Sequence, residues 1–296
     1  MSNAVEKGCT EMKNTSLYLS LRFKNRFIKF ITNHQIHTMH RFSILTILLF
    51  SMGWQLLTAQ SYTYQQETLP CLNKKFTIVA HIFKDTLGNY AISEQAIASA
   101  VESANQYFAP ICMSFEVCSY IYHDNSQHDI IDVPGKSEEV KKLYHLDYRI
   151  NMYFVSFIPD FCGFASGGNS DAFGSGIFIK KDCVSAGVFA HELGHYFSLA
   201  HTFEGNGTEN VNGSNCATEG DQICDTPADP YIALAPMDMY VKNCRFIYPG
   251  KDANGEYYNP DLGNIMSYYT CGGCGFTWQQ LKRMADAYLN GLVKLW

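Results

Sequence analysis

The segment HELGHYFSLAH, residues 191–201, constrains this chain more than any other stretch of it. On a helix, positions four apart share a face, so the rings of His191 and His195 can aim at one point. Two imidazoles at that spacing suit a metal such as zinc, held at about 2.0–2.1 Å. Glu192 is too close in sequence to His191 to be a natural third ligand, yet it stands where a carboxylate can hold and deprotonate a water. His201 lies six residues beyond His195. At about 100° per residue a continuing helix would turn it away from the metal, so the helix is expected to break first and the third ligand to arrive from a turn. Two histidines on an amphipathic core helix can arise by chance; a third at the eleventh place makes chance a poor account.

Downstream, residues 264–269 read NIMSYY, which resembles the Met-turn beneath the zinc of metzincin metallopeptidases. The resemblance implies that Met266 forms an apolar floor under the ligands and that Tyr268 can hydrogen-bond the reacting carbonyl oxygen. It widens with HELGHYFSLAHTFEG (191–205), GDQICDTPAD (220–229) and FTWQQLKRM (276–284). Together these make residues 76–296 similar to the pappalysin and cytophagalysin family of metzincins. That family implies a secreted endopeptidase with one catalytic zinc and polypeptide substrates. Its fold is mixed α/β, a twisted mixed sheet with an active-site helix and a loop-rich C-terminal subdomain across a cleft. Asp221 and Thr226 fall on positions of GDxxxDTP that contribute to a calcium site in the family, and oxygen ligands suit that hard cation. The local alternative is a capped polar turn. One residue departs from the pattern: the eighth motif position, usually glycine, is Ser198, and a left-handed conformation costs a residue with a side chain about 1–2 kcal/mol.

The formal charge of −6, with no basic patch interleaved with aromatics in the C-terminal two thirds, argues against nucleic acid as a partner. Met39, His40 and Arg41 precede an apolar run at 42–57, followed by Thr58, Ala59 and Gln60. This reads as a signal peptide at 39–59 cleaved after Ala59, preceded by an extension at 1–38 that is removed or untranslated. An uncleaved anchor is the alternative, but sixteen residues that include Ser, Gly and Gln fall short of the ~20 a span needs. Residues 60–75 are then a short leader and 76–296 the catalytic domain, with no stable membrane insertion after cleavage. The sequence leaves the oligomeric state open.

Of eleven cysteines, Cys9 precedes the signal. The other ten, Cys71, Cys112, Cys118, Cys162, Cys183, Cys216, Cys224, Cys244, Cys271 and Cys274, form an even set suited to disulfides in an oxidising compartment. Cys71 is expected to be paired rather than held as a thiol against the metal. Cys271 and Cys274 form a CxxC with no second pair at zinc-finger spacing.

Periodicity predicts strands at 76–83, 113–122, 148–158 and 174–180, and helices at 93–108, from about Ser185, and from Thr277 with Gln280 reaching back to cap it. In the resembling family the strand at 174–180 is the sheet edge along which extended substrate adds. The loop 165–176, ASGGNSDAFGSG, lacks the Lys-Ser/Thr of a phosphate cradle and reads as a turn. Asn206 and Asn212 lie in sequons that mark an exposed loop. His81, His123, His128 and His145 lack ligand spacing and read as structural. Two other functions stay open at this point: a silent zinc-bearing binding or adhesion module, which has no need of Glu192, and a zinc hydrolase of non-peptide amides.

Overall fold

The computed structural model describes residues 68–166, 175–269 and 271–291. The signal peptide, the extension before it, most of the leader and residues 167–174 of the glycine-rich loop lie outside them.

KKFTIVAHIF forms β1 (Lys74–Phe83), buried almost continuously from Phe76 onward. A run apolar on both faces belongs inside a parallel sheet. β1 lies between β2 (Met113–His123) and β3 (Ile150–Val155), parallel to both. β5 (Gly176–Lys180) adds parallel to β3, and β4 (Gly163–Ser166) completes the order β2-β1-β3-β5-β4, antiparallel to β5.

Of the described α-helices, three pack on one face of the sheet and one on the other. Ser93 caps α1 (Glu94–Phe108), accepting from the Ala96 N–H, and Ile97, Val101, Ala104 and Phe108 are its buried stripe. α2 (Lys136–Tyr144) instead buries Val140 against Phe83, Tyr153 and Phe178 on the opposite face. α3 (Ala186–Tyr196) sets Phe189 and Leu193 into the same core as α1, with Ile78, Met152 and Ile177 of the sheet. At the C-terminus, α4 (Trp278–Leu289) starts with the expected capping box of Thr277 and Gln280 and adds Leu281 and Met284 to that core. Between His201 and α4 the chain is mostly loop. It has its own small core of Phe203, Tyr231, Tyr240 and Tyr269, and a hairpin of β6 (Val241–Lys242) and β7 (Arg245–Phe246).

Three expectations need correction. The strand at 174–180 is β5, and it is not the sheet edge: β4 lies outside it. Four residues, Gly-Phe-Ala-Ser, are too few to show alternation, and the Cys162–Cys183 disulfide helps hold them there. The strand at 148–158 shortens to β3, because Tyr148 has φ +59°, a conformation that cannot continue a strand. Finally, the cysteines do not all pair. Cys71–Cys112, Cys162–Cys183, Cys216–Cys224 and Cys244–Cys271 are disulfides, and Cys118 is disulfide-bonded as well. Cys274 is free and exposed. The turn between β6 and β7 brings Cys244 within 5.3 Å of Cys271, Cα to Cα, so the nearer CxxC partner is already taken.

The far face of the sheet carries rings from all five strands. Phe164, Phe178, Tyr153, His81 and His123 stack in sequence with centroids 4.9, 4.6, 4.7 and 5.3 Å apart. His81 is buried, with Nδ1 3.0 Å from His123 Nε2 and Nε2 3.0 Å from Asn151 Oδ1. His128 is bonded to Tyr144 and Glu139.

Candidate metal centre

Local sequence sets both ends of α3. Ser185 Oγ accepts from the Val188 N–H at its start. At its end the Ser198 N–H donates to the His195 carbonyl and the Leu199 N–H to the Gly194 carbonyl, the two bonds of a Schellman turn. That turn needs a left-handed residue, and Ser198 supplies it at φ +75°. The chain then reverses and brings His201 back beside the helix.

The three Nε2 atoms converge. His191 and His195 are 3.1 Å apart there, His191 and His201 3.2 Å, and His195 and His201 3.0 Å. Among the described residues this is the one group of His, Cys, Asp or Glu ligand atoms close enough to share an ion. Tetrahedral ligands about 2.0–2.1 Å from zinc would stand slightly over 3 Å apart, so the spacing fits. His191 Nδ1–H donates to the Ile265 carbonyl at 2.7 Å and His195 Nδ1–H to the Leu199 carbonyl at 2.8 Å, which leaves each Nε2 lone pair facing the centre. Burial, followed by the neighbouring imidazoles, lowers the His191 pKa to about 4 and that of His201 to about 2. Burial also lowers that of His195. All three are therefore neutral, as ligands must be.

Glu192 is buried, and its Oε2 has no hydrogen-bond partner. Burial pushes its pKa up to about 8. A buried carboxylate oxygen left without a partner is costly unless a water or ligand occupies the space before it. Gly163 of β4 makes room for this side chain: a Cβ there would stand 3.0 Å from Glu192 Oε1 and 2.7 Å from the Phe178 carbonyl oxygen.

Met266 is fully buried beneath α3. A Cβ at Gly194 would come 2.5 Å from its Sδ, so the glycine between Glu192 and His195 lets the sulfur approach. The turn bearing Met266 is tied to α4: Asn264 Oδ1 accepts from the Met266 N–H and Asn264 Nδ2 donates to Gln280 Oε1. Tyr268 lies edge-on to His201 at 4.8 Å and tilted to His191 at 5.8 Å. Burial first, then the Glu192 carboxylate, raise its pKa to about 12, so the phenol keeps its proton.

Asp221 and Thr226 also come together. Thr226 Oγ1 contacts both Asp221 carboxylate oxygens, and the Ile223 N–H donates to Oδ1. Next to them Glu209 is buried, its pKa raised to about 7 by burial and then by Asp221 and Asp229.

Sequence reading missed three residues here. Gly163 is needed only because a distant carboxylate abuts it. Phe203, two places past His201, stacks flat on that ligand at 4.6 Å and 9°. Asp229 closes the GDQICDTPAD segment, and burial among hydroxyl donors, which sequence does not reveal, gives it a role.

Comparison with known proteins agrees with this geometry. Residues 172–289 match a peptidase family described as Pregnancy-associated plasma protein-A, and residues 94–202 match the reprolysin-like M12B metallopeptidases. An extracellular metalloprotease of Colletotrichum graminicola is 28% identical over 170 residues, 52% of this chain and 56% of that one. One from Neurospora crassa is 26% identical over 174 residues, 53% of this chain and 56% of its own length. The chain thus spans a little over half the length of the curated relatives it matches. Mature mirolysin of Tannerella forsythia, solved with a cleaved peptide, aligns with a TM-score of 0.56 at 16% identity, over 72% of this chain and 91% of that one, a likeness of fold.

Proposed function

We propose that the chain is a zinc endopeptidase of the metzincin metallopeptidases that cleaves polypeptides outside the cell. The observation that carries the reading is the convergence of three imidazole Nε2 atoms, with the buried Glu192, whose Oε2 has no hydrogen-bond partner, on the same helix between His191 and His195. His191, His195 and His201 would hold the ion. When bound, zinc supplies Lewis acidity to the attacking water and the scissile carbonyl.

The chain's own residues do the rest. Glu192 Oε2 takes the proton of the water and delivers it to the leaving amine nitrogen, a role that a buried carboxylate with no other partner for Oε2 can fill. Tyr268, still protonated, donates its O–H to the carbonyl oxygen as that atom gains negative charge, a contribution of a few kcal/mol for one well-placed donor. Extended substrate pairs with β4, the last strand of the sheet among the described residues, through main-chain hydrogen bonds.

Export through a signal peptide at 39–59 agrees with relatives named extracellular and with the disulfides. No helix of the described residues is long and apolar enough to cross a membrane. Calcium at the Asp221 loop belongs to the same proposal. The Glu209 and Asp221 carboxyls crowd one another, and a hard cation on oxygen ligands would relieve that repulsion.

Glu192→Ala is the test. It removes the base and no ligand, so cleavage of a denatured protein should vanish while about one zinc per chain remains by elemental analysis. Turnover in that variant would refute the mechanism, and a wild-type chain that binds zinc but cleaves no polypeptide would favour a silent binding module.

A further inference from the structure

The segment GDQICDTPAD holds three aspartates, and each fastens a different neighbour. Asp221 closes its own turn with Thr226. Asp225 accepts from Thr277 Oγ1 at 2.6 Å and from the Gln279 N–H at 2.8 Å, anchoring the first turn of α4. Asp229 reaches residues adjacent in sequence to the metal centre. It is 2% exposed. Its Oδ2 accepts from Thr202 Oγ1 at 2.9 Å, while Oδ1 accepts from Tyr269 Oη at 2.7 Å and from the Tyr231 N–H at 3.0 Å.

Thr202 directly follows His201, and Tyr269 directly follows Tyr268. One carboxylate thus joins the residue after the third ligand to the residue after the phenol. The Thr202 N–H also donates to the Met266 carbonyl at 3.2 Å, so the two segments meet side by side. His201 depends on this junction more than its fellow ligands do. His191 and His195 each have Nδ1 held by a backbone carbonyl. Among the described residues the Nδ1 of His201 has no such bond; besides the rings of His195 and His191, its ring is packed by Phe203 against its face and Tyr268 at its edge. Where that ring points is decided by where the loop is fastened.

We propose that Asp229 is a positioning residue that holds His201 and Tyr268 in register with the two histidines of α3. The role rests on the metallopeptidase reading above. A buried carboxylate is poor evidence of stabilisation for its own sake, since apolar packing often serves as well. Joining two segments at a fixed offset through three accepted hydrogen bonds is something apolar packing does less well.

The test uses the full chain and cuts one arm at a time. Thr202→Val removes the bond on the His201 side, and Tyr269→Phe the bond on the Tyr268 side. Asp229→Ala removes both, and Asp229→Asn restores most of the geometry, because the amide oxygen serves Tyr269 and Tyr231 while its N–H can donate to a reversed Thr202 hydroxyl. The readouts are the zinc dissociation constant by chelator competition, the visible spectrum of the cobalt-substituted protein, kcat and KM at saturating zinc, and the melting temperature. Thr202→Val should weaken zinc binding about ten- to a hundredfold and shift the cobalt spectrum. Tyr269→Phe should lower kcat with KM and zinc affinity unchanged, and should add little to Tyr268→Phe in the double variant.

If Thr202→Val and Tyr269→Phe lower the melting temperature but leave zinc affinity, cobalt spectrum and kcat at wild-type values, Asp229 is merely structural and the proposal fails. The two readings fail separately. A wild-type chain that cleaves nothing while Thr202→Val still loses zinc refutes the peptidase and supports the brace; normal cleavage with unchanged zinc affinity in Thr202→Val does the reverse.

Discussion

Ser198 occupies a backbone conformation that glycine adopts freely and other residues do not. The Schellman turn around it is complete, so the strain is absorbed by the surrounding structure rather than relieved. Ser198→Gly should therefore stabilise the protein by about 1 kcal/mol, less the added entropy of glycine in the unfolded chain. A rise in melting temperature of about 2–4 °C at unchanged zinc content and kcat would bear this out. A lower melting temperature would mean that the serine side chain stabilises the turn. Residues whose reasons are local were readable beforehand: the spacing of His191 and His195, the start of α3 at about Ser185, and the Thr277 and Gln280 capping box. Gly163 and Phe203 were not, because what each touches, Glu192 and His201, reaches it only through the fold.

Among the elements, long buried runs such as β1 declared themselves through composition, whereas β4 and α2 did not. β4 is four residues with a small side chain at every position but one, and α2 buries little beyond Val140 among charged neighbours, so neither shows a clear period. The loop between His201 and the Met266 turn reads poorly for a different reason: carboxylates and tyrosines at scattered positions organise it. Its acidic cluster gives a prediction with a definite sign. Burial raises Glu209 to about 7 and Asp221 to about 6, above the ordinary carboxylate range. Between that range and those values the folded chain binds more protons than the unfolded one, so stability falls as pH rises through the window. Calcium-free protein should thus melt lower at pH 7.5 than at pH 5.5 where this cluster dominates. Millimolar calcium should raise the melting temperature at the higher pH, and Asp221→Ala should shrink the rise. No calcium response after chelation would remove the ion from the proposal.

For the molecule as a whole, the buried histidines on the far face of the sheet add to its acid sensitivity. Burial first, opposed by Asn151 and aided by the neighbouring histidines, lowers the His81 pKa to about 3, and burial followed by His128 lowers that of His123 to about 4. Depressed histidines bind protons in the unfolded chain before the folded one. Their contribution is intact above the unfolded value near 6.5 and is lost as pH falls from there toward about 3–4. In His123→Gln the amide N–H can still donate to His81 while the titration is gone, so stability plotted against pH should fall less steeply over that window, by about one bound proton. An unchanged slope in denaturant titrations would show that the ring column is indifferent to acid. The disulfides have a consequence of another kind. Cys71–Cys112, Cys162–Cys183, Cys216–Cys224 and Cys244–Cys271 follow one another along the chain, and none of these four loops overlaps the next. A chain delivered N-terminus first can tie each of these knots with the strands it already has in hand, so for these four pairs the order of emergence can also be the order of oxidation.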